Sequence, residues 1–227
     1  TPVFFAAITP PLLMGNLKRM KKLHPEDFNQ VHTKTQGNHI SIYIHVKNFG
    51  YERFGHLDLG YNGSIYSYGN YSAVGRSKHN IYGEGILICG SEVDIIDYSI
   101  HQKNIVYHYT IELTDEEVLN IKKRMELLMS DTYYYKNIDP EGSYLTNLEA
   151  RSSFYSFYKF HSQPYKTYNL FTTNCVMLAA AILDSSDNRL FNLSGTITPG
   201  TYFSFLEDLV QSQQIPVTRN IHTIIEP

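Results

Sequence analysis

The 227-residue chain contains no tryptophan and only two cysteines, Cys89 and Cys175. Two cysteines are too few for a disulfide framework, which excludes a small fold stapled by several disulfides. The chain has no apolar run of the roughly 20 residues that a membrane-spanning helix needs, and prolines interrupt its apolar N-terminal stretch. Its formal net charge is only −3, so it lacks the basic field that holds phosphates, and we expect no nucleic-acid partner.

Apolar residues, by contrast, are plentiful. Hydrophobic residues make up 42% of the chain, and 19 tyrosines dominate its aromatic content, which is enough for a sizeable core. We predict an N-terminal appendage or linker over residues 1–36 and one folded domain over residues 37–227. The chain begins at Thr1 without a start methionine, so we interpret it as a processed or excised piece. The apolar stretch 4–14 precedes several basic residues, which makes peripheral membrane contact an alternative to an ordinary helix or tail.

The order of predicted elements indicates the fold class. Strand-forming patterns occur at residues 39–46, 54–59, 64–68, 85–89, 101–113 and 215–225. Thr114 and Glu117 form a capping box that begins a helix to about residue 129. Further helices are predicted after Asn174 and at Pro199, where a proline is tolerated in the first turn. Because the strands cluster before the cysteine helix, we predict an α+β fold and not an alternating α/β fold.

Cys175 occupies a position that favours reactivity. Thr172, Thr173 and Asn174 are good N-cap residues, and the apolar run after them predicts a buried helix that begins at or beside the cysteine. The unpaired N–H groups and the positive dipole end of a helix favour a thiolate, the reactive form of cysteine. We therefore predict that Cys175 is a nucleophile, with a buried structural cysteine as the alternative. Cys89 lies in a strand-like apolar run and is interpreted as a core residue.

A cysteine hydrolase also needs a base, and ten histidines are available. We prefer His56, because the hairpin that follows it would hold the ring on a rigid surface. His39, at the start of the preceding strand, is the alternative base, and a purely structural strand histidine is the alternative interpretation of His56. A metal site made of His39, His45 and His56 is less favoured, so we predict no metal and no cofactor.

Three short segments together resemble a known family. They are residues 55–59 (GHLDL), residues 62–69 (NGSIYSYG) and residues 173–175 (TNC). With the histidine strand before the cysteine helix, they resemble the circularly permuted NlpC-type papain-like proteins. Relatives of that group include lecithin:retinol acyltransferase-like enzymes, desumoylating isopeptidase-like proteins and bacterial toxin domains, some of which resemble residues 197–203 (ITPGTYF) after the cysteine helix. The resemblance implies a permuted papain-like catalytic domain over residues 37–227, with an antiparallel sheet packed against the cysteine helix.

The resemblance also implies roles for single residues. Cys175 matches the nucleophile and His56 matches the base. The third polar residue of the family lies at the end of the strand after the histidine, which points to Ser67 or Tyr68; some relatives have a second histidine there, and this chain does not. Asp58 is two residues from His56, but we judge it too close along the strand to be a natural partner of the ring.

A papain-like site also needs an oxyanion hole. The backbone N–H of Cys175 at the helix start would supply one donor, with Asn174 as the candidate for a second. The predicted activity is that of a cysteine-dependent acyl hydrolase or acyltransferase that works through a thioester.

The resemblance implies a substrate class and a setting as well. It favours phospholipid acyl esters of a bacterial envelope as substrate, and a secreted antibacterial effector that reaches the periplasm, with a cognate immunity protein as partner. The alternatives are a peptidoglycan amidase or endopeptidase of NlpC type, isopeptidase or deamidase action on a protein, and a non-catalytic binding module.

Overall fold

The computed structural model describes residues 38–46, 55–75, 77, 81–102, 104–152, 154–183 and 198–222. The predicted appendage 1–36 lies outside the described residues, and so do the last residues of the predicted strand 215–225. All candidate site residues named above lie within the described part of the chain.

A mainly antiparallel sheet forms the centre of the described fold. The strands of the described residues are β1 (His39–Val46), β2 (His56–Tyr61), β3 (Ser64–Gly69), β4 (Tyr82–Glu84), β5 (Ile86–Ser91), β6 (Ile105–Glu112), β7 (Thr132–Tyr134), β8 (Ser156–Phe160), β9 (Thr167–Asn169) and β10 (Val217–His222). Eight of them form one sheet in the order β10-β6-β1-β2-β3-β5-β8-β7, and β4 pairs with β9 in a separate ribbon. Each neighbouring pair runs antiparallel, which is typical of an α+β fold built from hairpins.

Helices accompany the sheet on both sides. Within the described residues they are α1 (Glu92–His101), α2 (Asp115–Ser130), α3 (Tyr144–Arg151), α4 (Cys175–Leu183) and α5 (Pro199–Ser212). Helices α2, α4 and α5 begin where the sequence predicts helices. Helices α1 and α3 are not predicted, although Ser91 and Asp94 at the start of α1 have the spacing of a capping box; in the structure the Ser91 side chain makes no capping bond. The predicted strand 101–113 correspondingly begins later, at Ile105.

Local signals that the sequence does carry are confirmed in the structure. Asn62 and Gly63 both have positive φ, 53° and 75°, as a two-residue hairpin between β2 and β3 requires. The Thr114–Glu117 capping box is formed at the start of α2. Thr198 caps α5 and Pro199 is in its first turn.

The sheet separates two apolar cores. One core contains the even-numbered β1 residues Ile40, Ile42 and Ile44 together with side chains of α2, α4 and α5. The other contains Tyr43 and Ile65 together with side chains of α1 and α3. This division follows from strand geometry, because successive side chains point to opposite faces. The described fold is therefore α+β, with helices packed on both faces of the antiparallel sheet.

Candidate active site

Four polar side chains lie side by side on three neighbouring strands. Strand β1 pairs with β2 so that His45 is opposite His56, and β2 pairs with β3 so that Asp58 is opposite Ser67. Residues directly opposite each other, and residues two apart along one strand, share a face of the sheet. The register therefore brings these four side chains together on one face, and we call them the imidazole–carboxylate cluster.

Asp58 lies between the two histidine rings of the cluster. Its Oδ1 is 2.8 Å from Nε2 of His56, and its Oδ2 is 2.8 Å from Nε2 of His45. The Asp58 side chain is 2% exposed, and both approaches are short ion-pair distances without hydrogen-bond alignment, since Oδ1 of Asp58 and Nε2 of His45 have no aligned hydrogen-bond partner among the described residues. The judgement that Asp58 is too close along the strand to partner His56 is wrong, because a separation of two residues, roughly 7 Å of strand, keeps both side chains on one face.

The ring nitrogen Nε2 of His56 has two further polar neighbours. The Oγ of Ser67 is 3.0 Å away and the phenolic oxygen of Tyr71 is 2.6 Å away. Ser67 and Tyr71 are themselves hydrogen-bonded at 2.5 Å. Ser67 is one of the two residues considered for the third polar position, whereas Tyr71 is not predicted from the sequence. The clearest sequence signal for Tyr71 is Gly69, where a Cβ would lie 2.7 Å from the returning tyrosine ring.

Tyr68, the other residue considered for the third position, has a different environment. It follows Ser67 in β3, so its side chain points to the opposite face of the sheet. There its hydroxyl donates a hydrogen bond of 2.8 Å to the carbonyl of Tyr165, and its ring packs edge-on against Phe160. Burial, the charge of Tyr165 and the charge of an ionised Cys175 raise the pKa of Tyr68, so Tyr68 also lies near the thiol.

Cys175 is the first residue of α4 and is 3% exposed. The charge of an ionised Cys175 acts together with that of Asp58 to raise the pKa of His56, which indicates that the thiol and the ring lie close together. Asp58, Ser67 and Tyr71 gather at Nε2 of His56, which leaves Nδ1 as the ring nitrogen available to the thiol. The His56 side chain is 28% exposed, so the ring lies where solvent and the thiol meet.

Charges shift the pKa values of His56 and Asp58 in opposite directions. Burial alone lowers the pKa of His56, but the charges of Asp58 and of an ionised Cys175, with hydrogen bonds to both, raise it well above its ordinary value. Burial alone raises the pKa of Asp58, but the charges of His56 and His45 outweigh it and hold the pKa below its ordinary value. The cluster therefore favours a protonated His56 ring beside an ionised carboxylate.

Asn174 holds the start of α4 in place. Its Oδ1 accepts a hydrogen bond of 3.0 Å from the backbone N–H of Met177, which is the geometry of an N-cap. Its Nδ2 donates a bond of 2.9 Å to the carbonyl of Leu170. The predicted capping role of Asn174 is confirmed. Its side-chain amide is also the predicted second oxyanion donor, and one N–H of that amide already donates to a backbone carbonyl.

His39 and His45, the other two candidate metal ligands, lie near opposite ends of β1. His39 is opposite Glu112 at the far end of β1, away from His56, which is opposite His45 near the other end of the same strand. Among the described residues, no group of three or more histidine, cysteine or acidic side chains is arranged to hold a metal ion. The alternative base His39 is thus separated from the thiol that contacts His56.

The second cysteine provides an internal comparison for Cys175. Cys89 lies in β5, and burial raises its pKa to about 12. Both thiols are free, and the structure shows no disulfide between them. At neutral pH Cys89 is almost entirely protonated and unreactive, which agrees with its interpretation as a structural residue.

Together these residues make a thiol–imidazole–carboxylate arrangement. The thiol lies at a helix N-terminus, the ring contacts it, and a buried carboxylate orients the ring from the other side. Such an arrangement can generate a nucleophile, accept its proton and return that proton to a leaving group.

Comparisons of the chain with protein-family models, with curated proteins and with solved structures found no match. Among the described residues, none of the helices combines the length and the apolar character needed to cross a lipid bilayer.

Proposed function

We propose that this protein is a cysteine-dependent acyl hydrolase or acyltransferase, with Cys175 as nucleophile and His56 as general base and acid. The single observation that carries the proposal is that the His56 ring interacts with the Cys175 thiol and, through Nε2, with Asp58. A structural histidine in a strand needs one partner to satisfy it, whereas a ring between a thiol and a buried carboxylate has the environment of a catalytic base.

In the proposed first half-reaction, the proton of Cys175 already resides on His56, and the thiolate sulfur attacks the carbonyl carbon of the substrate. The developing oxyanion lies beside the backbone N–H of Cys175 at the start of α4, where the first N–H groups have no intrahelical partner. His56 then protonates the leaving group, the bond from the acyl carbon to that group breaks, and an acyl thioester on Cys175 remains.

In the proposed second half-reaction, His56 accepts a proton from water or from another acceptor. The acceptor oxygen attacks the thioester, the carbon–sulfur bond breaks, and the Cys175 thiolate and the protonated ring are restored. Asp58 stays ionised throughout, because its task is to hold the ring and to stabilise its positive charge. Ser67 and Tyr71 help to fix the ring orientation from the same side.

We also propose a permuted papain-like arrangement for the domain. The histidine strand β2 precedes the cysteine helix α4 in the chain, and α4 packs its apolar side chains into the same core as Leu57 and Leu59 of β2. The antiparallel order β1-β2-β3-β5 places the histidine strand inside the sheet, where its ring is held on both sides by paired strands.

For the substrate we propose acyl esters of envelope phospholipids. The support is the resemblance of residues 55–59, 62–69 and 173–175 to the acyltransferase-like members of the permuted group. The biological setting that goes with this proposal is an antibacterial effector delivered to the periplasm of a target cell, with a cognate immunity protein as its partner.

The test of this proposal compares two substrates and two variants. Purified protein is incubated with phosphatidylethanolamine–phosphatidylglycerol vesicles and, separately, with peptidoglycan sacculi, and the products are identified by mass spectrometry. We expect free fatty acid and lysophospholipid from the vesicles, their loss in Cys175→Ser, and their retention in the matched variant Cys89→Ser.

Each other outcome contradicts a defined part of the proposal. Release of stem-peptide fragments from sacculi would overturn the lipid substrate and retain the thiol mechanism. Equal product formation by wild type and Cys175→Ser would overturn the mechanism itself.

A further inference from the structure

His45 is the member of the imidazole–carboxylate cluster that the proposed reaction does not use. Its side chain is 7% exposed, and its Nε2 lies 2.8 Å from Oδ2 of Asp58. The other oxygen of the same carboxylate faces His56 at the same distance. A buried carboxylate thus lies between two imidazoles, and only one of them contacts the thiol.

We infer that His45 is a positioning residue of the proposed active site: it holds Asp58 ionised and directed at His56, and so sets the acid limit below which the Cys175–His56 pair stops working. The effect on the Cys175–His56 pair depends on the proposed function, whereas the contact between His45 and Asp58 does not depend on it. It concerns regulation of the site by pH and adds no step to the reaction.

The physical reason is the cost of a buried charge. Asp58 has exchanged water for two ring nitrogens, and a buried carboxylate that loses a partner prefers to take up a proton. A protonated Asp58 no longer stabilises the positive ring of His56. Removal of His45 therefore weakens the support of His56 at a pH where the wild-type carboxylate is still ionised.

The groups that face Asp58 come from three strands and a loop. From β1 they are His45 and the phenol of Tyr43, from β2 the ring of His56, and from β3 and the loop after it Ser67 and Tyr71. The thiol of Cys175 acts on the ring of His56. Within the described part of the chain, the two ring nitrogens at 2.8 Å are the direct nitrogen contacts of the Asp58 carboxylate. The phenols of Tyr43 and Tyr71 stay neutral near pH 7, because burial raises the pKa of each well above its ordinary value. The support of the carboxylate therefore depends on the two histidine rings.

Burial and strand register explain why His45 can hold the Asp58 carboxylate in place. His45 is directly opposite His56 in the β1–β2 ladder, and Asp58 is opposite Tyr43, two pairs further along and therefore on the same face. The carboxylate thus reaches back along its own strand to one ring and across the ladder to the other. A side chain at position 45 without a ring nitrogen leaves Oδ2 of Asp58 buried beside an apolar group.

The test uses two variants at position 45. His45→Phe keeps the ring volume and removes the polar atom, whereas His45→Gln keeps an N–H donor at about the same reach. The first measurement is the titration of the Asp58 carboxyl carbon by NMR in the full-length protein. We expect its midpoint to rise by about one pH unit or more in His45→Phe and by less than half of that in His45→Gln.

The second measurement is the rate of iodoacetamide alkylation at Cys175 as a function of pH. We expect the acid-side midpoint of that profile to move up in parallel with the Asp58 titration in His45→Phe and to return towards wild type in His45→Gln. A purely structural role would lower the rate at every pH without moving the midpoint. Where His45→Phe does not fold by circular dichroism, His45→Asn, whose amide is too short to reach Oδ2, takes its place.

The outcomes separate this inference from the proposed function. An Asp58 titration that is unchanged by the loss of His45 would overturn the inference. An Asp58 titration that moves, in a protein whose Cys175 is alkylated no faster than Cys89 at any pH, would overturn the proposed function and support the contact assigned to His45. Parallel shifts of both midpoints support both.

Discussion

Two pairs of histidines lie on the same face of the sheet, and they have different chemistry. His45 and His56 lie on β1 and β2, and His108 and His222 lie on β6 and β10. His222 is opposite Val106, which is itself opposite His45, so the two pairs share one face. All four histidines lie in strands and point to that face, so their strand positions alone do not distinguish them.

The neighbours of the two pairs differ. The rings of His108 and His222 stack with centroids 5.5 Å apart, with 3.3 Å between Nδ1 of His108 and Nε2 of His222. The Oγ of Ser41 lies 3.0 Å from Nε2 of His108. At the other pair, a buried carboxylate lies between His45 and His56, and the charge of Cys175 acts on His56. A shared carboxylate and a nearby thiol therefore define the candidate site, and the strand positions of the histidines alone do not reveal them.

The largest expected effect comes from removing one ring from each pair. His56→Ala should lower the rate of thioester-dependent product formation by about 100- to 10,000-fold, because the thiol loses its base. The matched variant His222→Ala, which removes a ring from the other pair, should change the rate by less than about threefold. Initial rates on phospholipid vesicles check this. Similar losses in both variants would mean that the two pairs are not functionally distinct.

The next largest effect is the difference in reactivity between the two cysteines. Cys175 lies at a helix N-terminus close to the ring of His56, whereas Cys89 has a pKa of about 12. At pH 7.5 Cys175 should therefore be alkylated by iodoacetamide at least about 100-fold faster than Cys89. Peptide mapping by mass spectrometry over a time course measures both rates in one sample. Comparable rates at the two sites would contradict the assignment of Cys175 as nucleophile.

A smaller effect concerns stability and its dependence on pH. Folding lowers the pKa of Asp58. Its contribution to the free energy of unfolding is therefore present above the pKa of the unfolded state, about 3.9, and is lost as pH falls through the pKa of the folded state. The pKa of His56 is raised, so its contribution is present below about 6.5 and is lost as pH rises through the folded value. Between these limits both contributions are present.

Asp58→Asn should therefore lower the free energy of unfolding near pH 5.5 by about 1–3 kcal/mol and flatten its pH dependence on both sides. The matched variant Glu126→Gln, on the exposed side of α2, should leave the curve within about 0.5 kcal/mol of wild type. Urea denaturation at a series of pH values provides the measurement. A curve for Asp58→Asn that is parallel to wild type would show that the carboxylate is not coupled to folding.

The smallest expected effect concerns two helix N-caps, only one of which lies next to Cys175. Asn174→Ala and Ser143→Ala each remove an N-cap bond and should each lower the free energy of unfolding by about 1 kcal/mol. Only Asn174 precedes the cysteine, so only Asn174→Ala should also slow alkylation of Cys175, by a few fold. Equal alkylation in the two variants would mean that the start of α4 does not tune the thiol.

Local sequence signals predicted much of this molecule. The N-cap at Asn174, the capping box at Thr114 and the turn at Asn62 depend on neighbouring residues only, and the structure has each of them. The preference for His56 over His39 uses only the hairpin that follows it, and the catalytic role of His56 stays a prediction. Ser91 and Asp94 have the spacing of a capping box, but Ser91 makes no capping bond in the structure, and α1 is stabilised by tertiary packing in the second core.

The composition of the cluster could not be predicted in the same way. Tyr71 reaches His56 from a loop whose path depends on the ring fitting over Gly69, and no periodic pattern encodes such a path. Asp58 was within reach of prediction, since residues two apart share a strand face, and it was set aside wrongly. His45 was considered only as a metal ligand, because its pairing with His56 depends on the register between two strands.

By itself, then, the sequence determined which residues begin helices, which alternate along strands, and which thiol lies at a helix start, because those properties depend on a few neighbouring residues. Only the tertiary structure decided that one carboxylate lies between two imidazoles and that one of these contacts the thiol. Strand register and the packing of α4 on the sheet bring together residues far apart in the chain, and the burial that results turns ordinary side chains into strongly interacting charges.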